Sequence, residues 1–366
     1  MLKEKTGIGP GLLFMILYAT LFSLGVMQSP YVAAEYIGNN GYWGLVLAFV
    51  LTVGLIILLN SLGRKFPKKS IIQYLPVVCG TFLGKILGLI YLTFIFAILI
   101  LSSNMTALQS GTYFLFRTPS WAIFLLYLGV LTYIAHQGIE GITRLAAFIF
   151  PVTFILSLMA IGFSFQSFEL DNIRPIFFID GLKIPLGAVQ LFYPFFPLIT
   201  VLMIYPYLTE KRKGFKTILG ATTLAFFMIL ATIISGIGNY SAPGVLRYSW
   251  PVIEVTRKAN LPFILQSFGL FFTVSWLTLT LTGLGFLYYI LAEGIAQLLG
   301  VLNYKWFTLI LFPIIYSGMI LLTEIIEVRY IFSFFRVSGF VFTIGFLLFV
   351  WLLAVIRRRG GKKDAA

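Results

Sequence analysis

The chain has 366 residues, of which 60% are hydrophobic and only 10% charged, and its net charge is +14. A soluble domain carries about 25% charged residues, so this composition excludes an ordinary soluble fold. The basic residues lie in short loops between apolar runs, where they report membrane topology rather than a nucleic-acid partner.

The apolar runs have the length that crosses a hydrocarbon core, about 20 residues. The stretch after Met1–Lys5 is too long for a signal-peptide core and reads as a retained first span. That span covers 9–35, and its outer half contains Gly25, Val26, Met27, Ser29 and Pro30. Span two is 41–63. Span three, 82–112, carries Ser102, Ser103, Asn104, Thr106 and Gln109. Asn104 is the sharpest of these, because an amide cannot satisfy its own four hydrogen bonds. Span four, 119–136, ends on His136, read as a solvated loop histidine. Span five is 141–165. At its start Glu140 and Arg144 stand four apart with the acid nearer the N-terminus, an order that favours an ion pair. The pair is a candidate latch for a cytoplasmic gate.

Span six, 184–208, contains Tyr193-Pro194-Phe195-Phe196-Pro197. Span seven is 216–239. The segment 240–261, with Pro243, Gly244 and Pro251, reads as turns and short helices. In span eight, 262–296, Ser275, Thr278 and Thr282 share one helical face. Spans nine and ten are 305–323 and 332–356. The expected fold is therefore all-α, with ten spans in one membrane domain over 1–366. Its two repeats cover about 9–165 and 184–356.

With an inside N-terminus, the outer segments hold eight of the 26 basic residues, Arg336 among them, and the inner segments hold the other 18. The bias follows the positive-inside rule and puts both termini in the cytoplasm. On these boundaries no ionisable residue lies in the middle of a span. Glu35, Glu293 and Glu324 read as interfacial charges. Cys79 has no partner for a disulfide, and one thiol with one histidine makes no metal cluster. No phosphate-binding loop, paired histidine ligands or Ser/His/acid set is present. The chain is thus expected to hold no catalytic residue, metal or cofactor and to be no enzyme.

The interruptions in spans one and six lie five spans apart. A proline weakens a helix interior by about 3 kcal/mol, and matched breaks fit a 5+5 inverted repeat of the amino-acid transporter type. In that architecture unwound midplane helices bind a small ion or zwitterion through freed backbone groups. The expected ligand-binding residues are Gly25, Val26, Met27 and Ser29 on span one, with Tyr193, Pro194 and Phe195 on span six. Asn104, Ser275 and Thr278 would line the sides. Gly25 would let backbone N–H groups approach a carboxylate, and carbonyls beside Tyr193 and Pro194 would take an ammonium.

Four segments carry a resemblance: Leu24-Gly25-Val26 through Pro30; Gly138-Ile139-Glu140 through Arg144 to Pro151; Asn172-Ile173-Arg174-Pro175-Ile176 with Gly181; and Tyr248 to Pro251 with Glu254 to Arg257, leading to Trp276. In these the chain resembles the B subunit of the spore-germination nutrient receptors, a branch of the amino acid–polyamine–organocation transporter superfamily. The resemblance implies a nutrient-sensing subunit in a complex with a larger A subunit and a lipoprotein C subunit, in the spore inner membrane. An amino-acid permease, or a structural subunit with a vestigial pocket, would carry the same fold.

Overall fold

A computed structural model describes residues 7–176, 181–258 and 268–357. The onset of span eight at 262 and the terminal basic residues Lys3, Lys5 and Arg358 onward lie outside them. The described residues form α1 Pro10–Val26, α2 Ser29–Tyr36, α3 Tyr42–Lys65, α4 Ile71–Cys79, α5 Thr81–Tyr113, α6 Ser120–His136 and α7 Gly138–Ser164. There follow α8 Lys183–Gln190, α9 Val201–Ile204, α10 Gly214–Val245, α11 Pro251–Lys258, α12 Phe268–Leu299, α13 Lys305–Ile320 and α14 Ile325–Ile356.

Six of these helices, α3, α5, α7, α10, α12 and α14, are long and apolar enough to cross a membrane. Two further pairs qualify only as bent units. The first joins α1 to α2 at 49°, and the second joins α8 to the segment Tyr193–Tyr207 at 46°. The shorter α6 and α13, 17 and 16 residues long, occupy the places of spans four and nine.

Both breaks follow from backbone chemistry. Pro30 sits in the first turn of α2, where its missing N–H costs nothing but forbids continuation from α1. In span six Pro194 opens, and Pro197 interrupts, a 3-10 helix over Tyr193–Thr200. Eight residues is long for this tighter helix, and such stretches mark hinges.

The helix contacts pair up under exchange of the two halves. Contact of α1 with α10 recurs as α8 with α3. Contact of α1 with α12 recurs as the 3-10 helix 193–200 with α5. The α12 contacts with α7 and α6 recur as those of α5 with α14 and α13. This is the transporter-like inverted repeat, with α1, α5, α12 and the broken span six at its centre. Lipid offers little hydrophobic drive for helices to associate, so small residues that allow close approach matter most. At Gly283 of α12, a Cβ would lie 2.8 Å from Thr20 Cα of α1. The outer helices instead turn large apolar side chains outward, such as Phe148 of α7 and Phe334 of α14.

One end of the bundle gathers the start of α1, the ends of α3 and α14, and the end of span six. Ile8 N–H donates to Tyr207 O at 2.8 Å, and Thr209 N–H donates to Ile8 O at 3.1 Å. Arg357 donates to Val78 O at 2.7 Å, and the Lys65 ammonium lies 5.9 Å from the Trp351 ring. Burial, with a smaller contribution from Lys68, pushes the Lys211 ammonium below the usual lysine pKa. The basic loops after spans two and six therefore share this face.

Three boundaries differ from the sequence expectation. The loop after span two contains α4, held by a capping box between Ser70 and Gln73. Helix α10 runs past 239 to Val245 across a kink at Ser241, whose φ is 58°. Helix α14 begins at Ile325 rather than 332. The last difference corrects the reading that no span holds a mid-helix charge, because Arg336 now lies well inside α14, with its side chain 5% exposed.

Candidate ligand site at the helix breaks

The two breaks meet. The Gly25 carbonyl, released at the end of α1, accepts from Ser29 Oγ at 2.6 Å and from Tyr193 O–H at 3.0 Å. The Ser29 and Tyr193 hydroxyls are themselves 3.2 Å apart. Trp276 Nε1 of α12 donates to Ser23 O at 3.0 Å. In span six, Phe195 N–H donates to Phe192 O at 2.9 Å, and Thr200 Oγ donates to Pro197 O at 2.6 Å. A bare carbonyl in a membrane interior is costly, and here protein donors supply its partners. The carbonyls so partnered are those of Ser23, Gly25, Phe192 and Pro197.

Gly25 packs directly against span six. A Cβ there would lie 2.5 Å from Ile229 Cδ1 and 2.8 Å from Pro194 Cβ. The glycine admits a proline ring from span six against span one, and its missing side chain does not open toward a cavity. Pro194 fills that contact. Val26 is fully buried, and Phe195 packs 6.4 Å from Phe49 and 6.0 Å from Phe192, ring to ring.

Met27 does reach a cavity. It is small, about 30 Å³, and bounded by Ser23, Met27 and Gln28 of span one, Ser102, Met105 and Gln109 of α5, Trp250, Trp276 and Phe332. A water needs roughly 10–15 Å³, so this space holds about two waters and no amino acid in the conformation described. Gln28 also borders a second, outer pocket of about 290 Å³ between α2 and the start of α14. It contains Glu35, Arg329 and Arg336 among tyrosines. Phe332, one turn before Arg336, closes the small cavity and packs 5.5 Å from the Tyr193 ring. At the opposite end the Ile8–Tyr207 backbone bridge ties spans one and six. There Glu293 accepts from Tyr207 O–H at 3.2 Å and Gln297 Nε2 at 2.7 Å. Glu293 is thus a half-buried hub rather than a plain interfacial charge.

The three flanking residues lie away from the breaks. Asn104 Nδ2 donates to Met319 O at 2.9 Å and Leu322 O at 2.8 Å, tying α5 to the end of α13. Ser275 Oγ donates to Thr153 O of α7 at 3.0 Å. Thr278 is half-exposed and bonds back to Val274 O. Glu140 and Arg144 do form an ion pair, but within one helix turn and with Arg144 72% exposed. The pair spans one turn of α7 and by itself joins no second element. His136 is half-buried, its Nδ1 3.1 Å from Thr308 Oγ1, so it is not a solvated loop residue.

Sequence reasoning missed Arg336 and left Glu35 at the interface. Arg336 Nε donates to Gln190 Oε1 at 2.7 Å, and its Nη2 stands 3.9 Å from Glu35 Oε2. It also missed that Met105 and Gln109 share a face with Ser102. At about 100° per residue, positions 102, 105 and 109 cluster, whereas 104 lies on the far side.

The sequence matches the family described as spore germination protein over residues 8–328. The chain belongs to that family. Its relatives in Bacillus subtilis (strain 168) include spore germination protein B2, 26% identical over 72% of each chain. Spore germination protein YndE from the same organism is 25% identical, over 77% of this chain and 78% of that one. Spore germination protein A2 is 24% identical over 71% and 72%. Among solved structures, the crystal structure of MhsT in complex with L-phenylalanine superposes with a TM-score of 0.71. It covers 94% of this chain and 88% of that one at 16% identity. At that identity the likeness speaks for the fold alone. The family and the apolar helices together make this a multi-pass membrane protein of spore germination.

Proposed function

We propose that this chain is the nutrient-sensing subunit of a germinant receptor in the spore inner membrane. It binds a small nutrient, an amino acid, beside the breaks in spans one and six. The observation that carries this reading is the junction of the two breaks, where Tyr193 and Ser29 converge on the Gly25 carbonyl. The junction borders the cavity reached by Met27, and an amphoteric pocket lies just outside it. A ligand that enters must displace Met27 or Phe332, and that movement bears directly on the hinge of both broken spans. Binding is thereby coupled to conformation, as a sensor requires. The bound L-phenylalanine of MhsT supports an amino acid as the ligand class.

The topology in this reading has ten spans, with the shorter α6 and α13 crossing and both termini in the cytoplasm. The shared face of Ile8, Lys211 and Arg357 supports an even count. The described connections between spans are short loops and short helices, so the response must pass to other chains, namely the A and C subunits. Spores carrying this chain without A and C should give no nutrient response, and supplying both should restore it. A full response without them would contradict the reading. In the same membranes a cysteine replacing Lys213, in a Cys79→Ala background, should be shielded from an impermeant thiol reagent added outside.

A further inference from the structure

We propose that the outer pocket is a carboxylate-binding site. The Arg336 guanidinium takes the carboxylate of a small zwitterion, and Glu35 takes its ammonium. The inference rests on the nutrient-binding reading and assigns the residues that recognise the ligand's charged ends.

The starting point is an under-used buried cation. Arg336 is 5% exposed and lines the pocket. A guanidinium has five N–H donors. Nε is committed to Gln190, while the closest carboxylate among the described residues, that of Glu35, is 3.9 Å away, beyond hydrogen-bond length. The faces of Tyr36 and Phe332, 5.8 and 5.6 Å away, hold the cation in place. Its planar fork matches a carboxylate bidentately.

The rest of the pocket selects what carries that carboxylate. Arg329 is engaged elsewhere, donating to Ser249 O at 2.8 Å and stacked 4.4 Å over Tyr31. Two arginines and one glutamate leave one positive charge in excess, which favours an anionic end. Glu35, with its side chain 40% exposed, faces any ligand lying on Arg336. It repels a simple anion and attracts an ammonium. The volume of about 290 Å³ is at the lower edge of the roughly 300–1,000 Å³ typical of small-molecule sites, so the zwitterion must be small. Because Phe332 lies one turn from Arg336 and closes the inner cavity, occupancy here also bears on the hinge.

The test uses the full chain in lipid nanodiscs, with free L-amino acids and the matching amino-acid amides as probes, read by thermal shift and titration. At least one free amino acid should bind. Its amide should bind about thirtyfold more weakly or worse, as when one partner of a buried charge pair is removed. Arg336→Gln and Ser333→Leu should each lose the binding. Ser333 lines the pocket and is bonded to Tyr36 O–H at 2.9 Å. Ser333→Leu blocks the site with the arginine intact, so it decides the matter if Arg336→Gln fails to fold. Equal binding of amide and acid would overturn the proposal. So would wild-type affinity in Ser333→Leu together with Glu35→Gln. Both outcomes leave the nutrient-binding reading standing; binding of no amino acid at all would overturn both.

Discussion

Replacing Gly25 with valine is expected to force the two broken spans apart and abolish the nutrient response. The first added carbon already falls 2.5 Å from Ile229 Cδ1 and 2.8 Å from Pro194 Cβ. Ile229 can rotate its end away, but the proline ring of span six has no rotamer to change. Valine adds two further methyls in the same place. Overpacking of a close contact costs about 1–3 kcal/mol and sometimes more, and the upper end is expected here because backbone must move. Separation would also break the bond from Tyr193 O–H to Gly25 O. Gly25→Ala should show a smaller loss of the same kind. Thermal unfolding of the purified variants, with membrane abundance measured first, checks this. A Gly25→Val protein that melts like wild type would show that the breaks are not in tight contact.

The second large effect is expected at Asn104, and it falls on stability rather than affinity. Its amide donates to two carbonyls at the end of α13, Met319 and Leu322. Those carbonyls lie at a helix end, where the regular helix supplies no donor; Met319 O accepts only the tight last-turn bonds, such as Leu322 N–H at 3.2 Å. Interhelical hydrogen bonds in membranes average about 0.6 kcal/mol and reach about 1.7. Asn104→Ala should therefore cost about 1–2 kcal/mol of stability and leave ligand affinity within about twofold. A tenfold loss of affinity at unchanged stability would instead put Asn104 in the binding site.

The sequence reveals the breaks well and the site only in part. Gly25, Pro30, Pro194 and Pro197 announce themselves because proline chemistry acts on the residue's own backbone, whatever surrounds it. The same locality makes the Glu140–Arg144 pair legible, since both partners lie on one helix turn. Contacts between spans are another matter. Asn104 and Ser275 are polar and deep, but depth does not say which neighbour they face. The helical phase could have separated Ser102 and Gln109, which face the small cavity, from Asn104, which faces α13. Trp276 could be read as apolar filling, yet its N–H completes the Ser23 carbonyl. Arg336 was hidden by the boundary itself. With span ten started at 332, Arg336 falls in its first turns and counts with the outer segment, whereas the helix begins at Ile325 and places it eleven residues in. Helix α4 was hidden by Pro76 and by its length of nine residues, although the Ser70–Gln73 pair is a capping-box signature.

The most direct test of the sensing claim compares binding with transport on one preparation. The purified chain is screened against free amino acids by thermal shift, and any amino acid that binds is offered, radiolabelled, to proteoliposomes containing the same protein. The account predicts saturable binding with no uptake above protein-free liposomes. Uptake at ordinary transporter turnover, blocked by the excess unlabelled amino acid, would contradict it and make the chain a permease.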